Sequence, residues 1–189
     1  MSPRDENNGA HQSYHSLIIF DLDQTLVDTI CYHKDTDIKT SNYDHIFEHE
    51  QVIYKVSVRP KVKEFLKLLL ENKYELAIFS KGTKVYVHQI ISHIFNDIPW
   101  KFIWTHDECY DGTKNLSYVT TLYPQYTHRN MLLIDDSIVN CQKCAQNGYK
   151  SINVSEYLIV NKDDDTLFEQ NLISKIKFIL ESDMYIYFV

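Results

Sequence analysis

Positive charge is scarce in this chain. Its 19 Lys and Arg stand against 26 Asp and Glu, for a formal net charge of -7. Such a balance gives no broad electrostatic grip on nucleic acid, so binding a polyanion is not the default reading. Cysteine is scarce too. Four (Cys31, Cys109, Cys141, Cys144) are too few for a disulfide scaffold at this length and fit a reducing compartment. Glycine is rarer than tyrosine, 4 against 14, which excludes a disordered chain or a low-complexity filament. No apolar run is long enough to cross a bilayer. The opening residues Met1 to Asn8 lack the apolar core of a secretory leader. These absences leave an intracellular globular protein, cytoplasmic or nuclear, with no membrane association.

What remains is ordinary globular material. The 189 residues, 44% of them hydrophobic, suffice for one domain with a real core. Residues 1–13 read as a flexible polar tail and 14–189 as a single domain. After the tail, short apolar runs alternate with amphipathic stretches. Ser16 to Phe20, Tyr74 to Phe79, Lys101 to Trp104, Met131 to Ile134 and Ser151 to Val154 read as strands. Val52 to Arg59 alternates and reads as a strand or hairpin arm, while Asp28 to His49 is polar and aromatic with no clear period. Pro60 is expected to open a helix at its first position, with Val62, Phe65, Leu66 and Leu69 as the apolar stripe. Thr83 to Phe95, Lys114 to Leu122, Ser137 to Asn147 and Asp165 to Leu180 read as further helices. The alternation implies an α/β fold with a central parallel sheet, whose ligands bind where the strands end.

Three polar groups fall at such ends: Asp21, Ser80 and Asp135. Asp21 and Asp23, two apart in an extended segment, point the same way and can share a cleft. One carboxylate can attack phosphorus; a second can protonate a leaving oxygen and then activate water. A phosphate dianion beside two carboxylates needs positive charge, which Mg²⁺ and a lysine supply. Asp135 and Asp136 add oxygen ligands, and Ser80 a hydrogen-bond donor.

The motifs carry a resemblance. Asp21-Leu22-Asp23-Gln24-Thr25 resembles the first motif of haloacid dehalogenase (HAD) phosphatases, and Ile78-Phe79-Ser80 the second. Lys114, in Thr113-Lys114-Asn115-Leu116-Ser117, resembles the third. Leu133-Ile134-Asp135-Asp136-Ser137 resembles the fourth. Val58-Arg59-Pro60, and Cys109 followed by Lys114 to Ser117, are similar to the FCP/SCP (NLI-interacting factor) carboxy-terminal-domain phosphatases. Gln24, Ser80 and Asp136 stand where those enzymes usually carry Glu, Thr and Asn. Asp136, Asn140 and Gly148 also resemble small capless magnesium-dependent phosphatases of tyrosine and sugar-phosphate type.

The resemblance implies Asp21 as nucleophile and metal ligand, and Asp23 as acid/base with its carbonyl on the metal. It implies Thr25 as the residue ordering the loop, and Ser80 and Lys114 as phosphate holders. Asp136 is then the more direct metal ligand, with Asp135 close by. The intervals around the motifs are too short for a full lid domain. An open cleft flanked by the 28–59 insert, with Tyr32, Tyr43 and Phe47, implies a macromolecular substrate. A phosphoprotein is expected. A nucleic-acid 3′-phosphatase is disfavoured by the acidic balance, a small-molecule phosphatase usually needs a lid, and a non-catalytic binding module would have lost the acids.

Other features have plain readings. Cys141 and Cys144 suit packing on a helix. His45 and His49, spaced like two ligands, lack the Glu of a metalloprotease motif. Lys81 and Lys84 compete with Lys114 for the phosphate. Asp163 to Asp165 reads as a loop leading into the last helix.

Overall fold

The computed structural model describes residues 15–33, 43–168 and 171–189; the tail read at 1–13 lies outside them. In chain order the strands and helices are β1 (Leu17–Phe20), β2 (Val27–His33), β3 (His45–His49), β4 (Val52–Val58), α1 (Val62–Glu71), β5 (Glu75–Phe79) and α2 (Lys84–Ile94). Then follow β6 (Trp100–Trp104), α3 (Ser117–Leu122), β7 (Met131–Asp135), α4 (Ile138–Gln146), β8 (Lys150–Asn153), α5 (Leu172–Glu181) and β9 (Ile186–Phe188).

Six strands form one parallel sheet in the order β6-β5-β1-β7-β8-β9. Its centre is apolar on both faces, and the period of two divides each strand between two cores. Ile18 and Phe20, Leu76 and Ile78, and Leu132 and Ile134 pack on one side with α1, α2 and α5. Leu17 and Ile19, Ala77 and Phe79, and Met131 and Leu133 pack on the other with Val119 of α3 and Cys144 of α4. Such double-sided burial requires the continuous apolar runs seen in the sequence. It places the ends of β1, β5 and β7 side by side at one edge.

The remaining strands make a separate antiparallel sheet in the order β2-β4-β3. The sequence hid two of them. β3 turns His45, Phe47 and His49 inward and leaves Ile46 55% exposed, so its hydrophobic pattern opposes its burial. β2 is buried fully only at Val27. Ring stacking holds this sheet against α2, where His45 lies 4.5 Å from His93; within the sheet Phe47 lies 4.7 Å from Tyr54. Tyr54 leans on Tyr86 of α2 at 5.5 Å.

Several boundaries move. Pro60 does not open α1; it lies in a turn, and Lys61, at a left-handed φ of 62°, precedes the first helical residue. Lys114 lies on a loop ahead of α3, where Asn115 accepts from the Ser117 N–H at 3.0 Å. The last helix begins at Leu172 rather than Asp165, because Ile159–Asp164 forms a 3-10 turn of its own. Asp165 itself is no loop charge. It receives Arg59, which is 1% exposed, through Nε at 2.9 Å and Nη2 at 2.7 Å. Arg59 Nη1 also donates to the carbonyls of Thr25 at 3.2 Å and Ser155 at 3.0 Å. Strand β9, unforeseen in the sequence, pairs with β8 at the sheet margin.

Candidate active site

Asp21 continues the line of β1: its N–H donates to the Ile134 carbonyl at 2.9 Å. The chain then folds back on itself. Gln24 takes a positive φ of 59°, and the Leu26 and Val27 amides both return to the Leu22 carbonyl. This tight turn presents Asp21, Asp23 and Thr25 together at the sheet edge.

Lys114 reaches in from the α3 loop and bridges two carboxylates, 2.7 Å from Asp21 Oδ1 and 2.8 Å from Asp135 Oδ2. All three groups are buried. Burial works against the ammonium, yet Asp21 and Asp135 outweigh it and hold its pKa above the usual lysine range. Desolvation pushes Asp21 up to about 7 in spite of Lys114, with Asp135 adding to the rise. Asp135 is saturated: Ser137 N–H donates to Oδ1 at 2.8 Å, and Asn140 Nδ2 meets both oxygens at 3.1 and 3.0 Å.

Asp136 is held differently. The Thr25 hydroxyl donates to its Oδ1 at 2.9 Å, and the Asp136 N–H donates to Thr25 Oγ1 at 3.1 Å. Its second oxygen has no partner among the described residues. Burial, then Asp135, raises the Asp136 pKa. One oxygen each from Asp21, Asp135 and Asp136 lies within 4.8 Å of the others. That is a hard-oxygen donor set of the kind Mg²⁺ takes.

Ser80 ends β5, fully buried, with its Oγ accepting from the Gly82 N–H at 2.9 Å. Cys109 Sγ donates weakly to the Ser80 carbonyl at 3.8 Å. Lys81 is held differently from Lys114. Its ammonium sits at the rim, 2.9 Å from Asn140 Oδ1, and Lys84 is exposed at the start of α2.

Asp23 receives the phenol of Tyr86, which also contacts Thr29 Oγ1 at 2.7 Å. Burial raises the Asp23 pKa, opposed by the Tyr86 hydrogen bond and by Lys114. Burial, and next the Asp23 charge, keep the Tyr86 phenol protonated. A cavity of about 250 Å³ opens beside these groups, lined by Asp23, Thr29, Cys31, Tyr54, Thr83 and Tyr86. Two larger hollows, one around Asp164 and Leu167 and one around Lys61 and His93, lie away from the carboxylates. The antiparallel sheet thus forms one wall of the cleft.

All seven residues singled out in the sequence meet at this edge: Asp21, Asp23, Thr25, Ser80, Lys114, Asp135 and Asp136. Tyr86, Thr29 and the Asn140 side-chain bonds were not foreseen. A tyrosine one helical turn beyond Gly82, facing a loop, was the available signal for the first. The Cys141–Cys144 pair is buried on α4, and burial pushes the Cys141 thiol up to about 12, as inert packing groups require.

A sequence profile described as "NLI interacting factor-like phosphatase" matches residues 16–184. A human C-terminal domain phosphatase of RNA polymerase II is 27% identical over 160 residues, covering 82% of this chain and 16% of that protein. The solved fission yeast RNA polymerase II CTD phosphatase Fcp1, bound to beryllium fluoride, superposes with a TM-score of 0.58 at 21% identity. That match covers 89% of this chain and 51% of the other. A predicted phosphoglycolate phosphatase from Haemophilus somnus gives a TM-score of 0.54 at 14% identity, over 77% and 87% of the two chains. The chain therefore spans about half of the yeast structure and a small part of the human protein. At these identities the solved structures establish the fold, an α/β HAD fold, with no large cap among the described residues. With a family profile covering nearly its whole length, the chain belongs to the NLI interacting factor-like phosphatases.

Proposed function

We propose that this chain is a Mg²⁺-dependent phosphomonoester hydrolase that works through an aspartyl-phosphate on Asp21 and acts on phosphoserine or phosphothreonine in a protein. The observation that carries the reading is the buried Asp21–Lys114–Asp135 bridge beside Asp136 at the open sheet edge. Three carboxylates share one ammonium there, and a divalent cation would offset the negative charge that remains and let a phosphate approach.

The metal's role is to offset phosphate charge and orient it. Asp21, the Asp23 carbonyl and the spare oxygen of Asp136 would hold it, while Asp135, already saturated, supports Lys114. Lys114 and the Ser80 hydroxyl bind phosphate oxygens. A carboxylate oxygen of Asp21 attacks phosphorus, and the bond to the leaving oxygen breaks as protonated Asp23 passes it a proton. Asp23, now a carboxylate, takes a proton from water, whose oxygen attacks the same phosphorus. Inorganic phosphate leaves, and the Asp21 carboxylate and the Asp23 proton are restored.

A phosphoprotein substrate agrees with the open cleft and with the human and yeast relatives, whose names specify the polymerase C-terminal domain. Such a partner agrees with the expected setting inside the cell, in cytoplasm or nucleus. The test is hydrolysis of a generic aryl phosphate with Mg²⁺, then a phosphopeptide panel against 3′-phosphorylated oligonucleotides. Full activity in a chelator would sink the metal role. Preference for the oligonucleotides would replace the protein substrate with a nucleic-acid end.

A further inference from the structure

The acid/base reading of Asp23 leaves open what aims its carboxylate. Asp23 lies at the tip of a turn, with the antiparallel sheet on one side and α2 on the other. Tyr86, on the first turns of α2, is 9% exposed and donates its hydroxyl to Asp23 Oδ1. The same hydroxyl lies 2.7 Å from Thr29 Oγ1, so the threonine holds the phenol oxygen from the side of the antiparallel sheet. Thr29 belongs to β2, and the Tyr86 ring leans on Phe47 at 6.2 Å and Tyr54 at 5.5 Å. On the remaining side the Ser80 loop passes over the ring so closely that a Cβ at Gly82 would lie 2.7 Å from Tyr86 Cδ1. The ring is wedged, and its hydroxyl has a fixed direction.

We propose that Tyr86 is the positioning residue for Asp23, and that Thr29 and the aromatic wall of the antiparallel sheet fix Tyr86 in turn. By donating to one carboxylate oxygen, Tyr86 leaves the acidic proton to the other. It also ties general acid–base chemistry to a sheet that contributes no other group to the reacting centre. The inference rests on the proposed role of Asp23, and its test separates the two.

The readout is leaving-group dependence of kcat/KM, which reports the steps up to phosphoenzyme formation. General acid help matters most when the leaving oxygen is strongly basic. Tyr86→Phe keeps the ring and removes the hydroxyl. It should lower kcat/KM for a phosphoserine peptide about 30-fold and for 4-nitrophenyl phosphate under about threefold, a share of the ~10²–10⁴ that general acid catalysis supplies. Thr29→Val, which removes the hydroxyl beside the Tyr86 phenol, should give the same split at about threefold on the peptide. Equal losses on both substrates with Tyr86→Phe would reduce the tyrosine to a packing residue and overturn the proposal. Asp23→Asn is the reference. If it shows the split and Tyr86→Phe does not, positioning fails while the acid/base role stands. If Asp23→Asn shows no split, both fall together.

Discussion

The parallel sheet and the antiparallel sheet meet at one cleft and are built on opposite terms. At the parallel edge every charge has a partner. Lys114 is shared by Asp21 and Asp135, Asn140 and Ser137 complete Asp135, and Thr25 clasps Asp136. At the antiparallel sheet the contacts are rings on rings, half-buried, with Ile46 and Ile30 facing water. The first region resists movement because leaving a buried charge unpaired costs several kcal/mol. The second loses far less on opening, since ring pairs contribute about 0.5–1.5 kcal/mol each beyond their burial. On the proposed mechanism, chemistry sits on the rigid partner, and the wall that would meet a substrate sits on the yielding one.

The sharpest way to test the division is at its rigid end. Asp21→Asn should lower kcat by about 10⁴-fold or more on any substrate, because no other group in reach forms the covalent bond; trace hydrolysis of aryl phosphate would measure it. Lys114→Met comes next. It strands two buried carboxylates and should lower unfolding free energy by about 3–5 kcal/mol in urea titration. It should also lower kcat about 10²–10³-fold, the scale of losing one charge-stabilising donor.

Acid should act on the same region. The Asp21 pKa is raised to about 7, so below that value a metal must displace a proton from it. Mg²⁺ affinity should then fall as pH drops from 7 to 6, approaching about tenfold per unit at lower pH. Calorimetric titration at several pH values would show it, and a flat profile would mean that Asp21 stays ionised without metal. The sign for stability is the reverse. A carboxyl whose pKa is raised on folding stabilises the metal-free fold most below its unfolded pKa of 3.8, and that share is lost as pH climbs through about 7.

The smallest effect is expected at the yielding end. Phe47→Ala removes the ring between Tyr54 and His45 and should cost about 1–2 kcal/mol, less than a fully buried Phe→Ala change. Amide exchange should quicken in β3 and β4 while β1 and β7 stay protected. Equal quickening in both sheets would erase the distinction between them.

The same division explains what could be read from the sequence. β1, β5 and β7 are buried on both faces, so their apolar runs and polar ends announced the sheet and the convergence of Asp21, Ser80 and Asp135. β3 inverts its pattern, exposing Ile46 and burying part of His45, and no periodicity rule finds such a strand. Lys114, Lys81 and Lys84 could not be separated by spacing alone; only the loop before α3 decides which ammonium reaches the acids. Tyr86 is 63 positions from Asp23, and a contact at that range leaves no mark in either local pattern.

Arg59 carries a consequence for how the protein comes into being. Its guanidinium is shut away from water and satisfied by Thr25, Ser155 and Asp165 together, positions early, late and later still in the chain. Strand β1 likewise needs β7 beside it. On a ribosome the amino-terminal half emerges first, with this charge unanswered and the central strand lacking its neighbour. The full set of partners around Arg59 can form only once residues near 165 are free of the exit tunnel. The turn that carries Asp21 and Thr25 is thereby tied, through Arg59, to a segment made long after it.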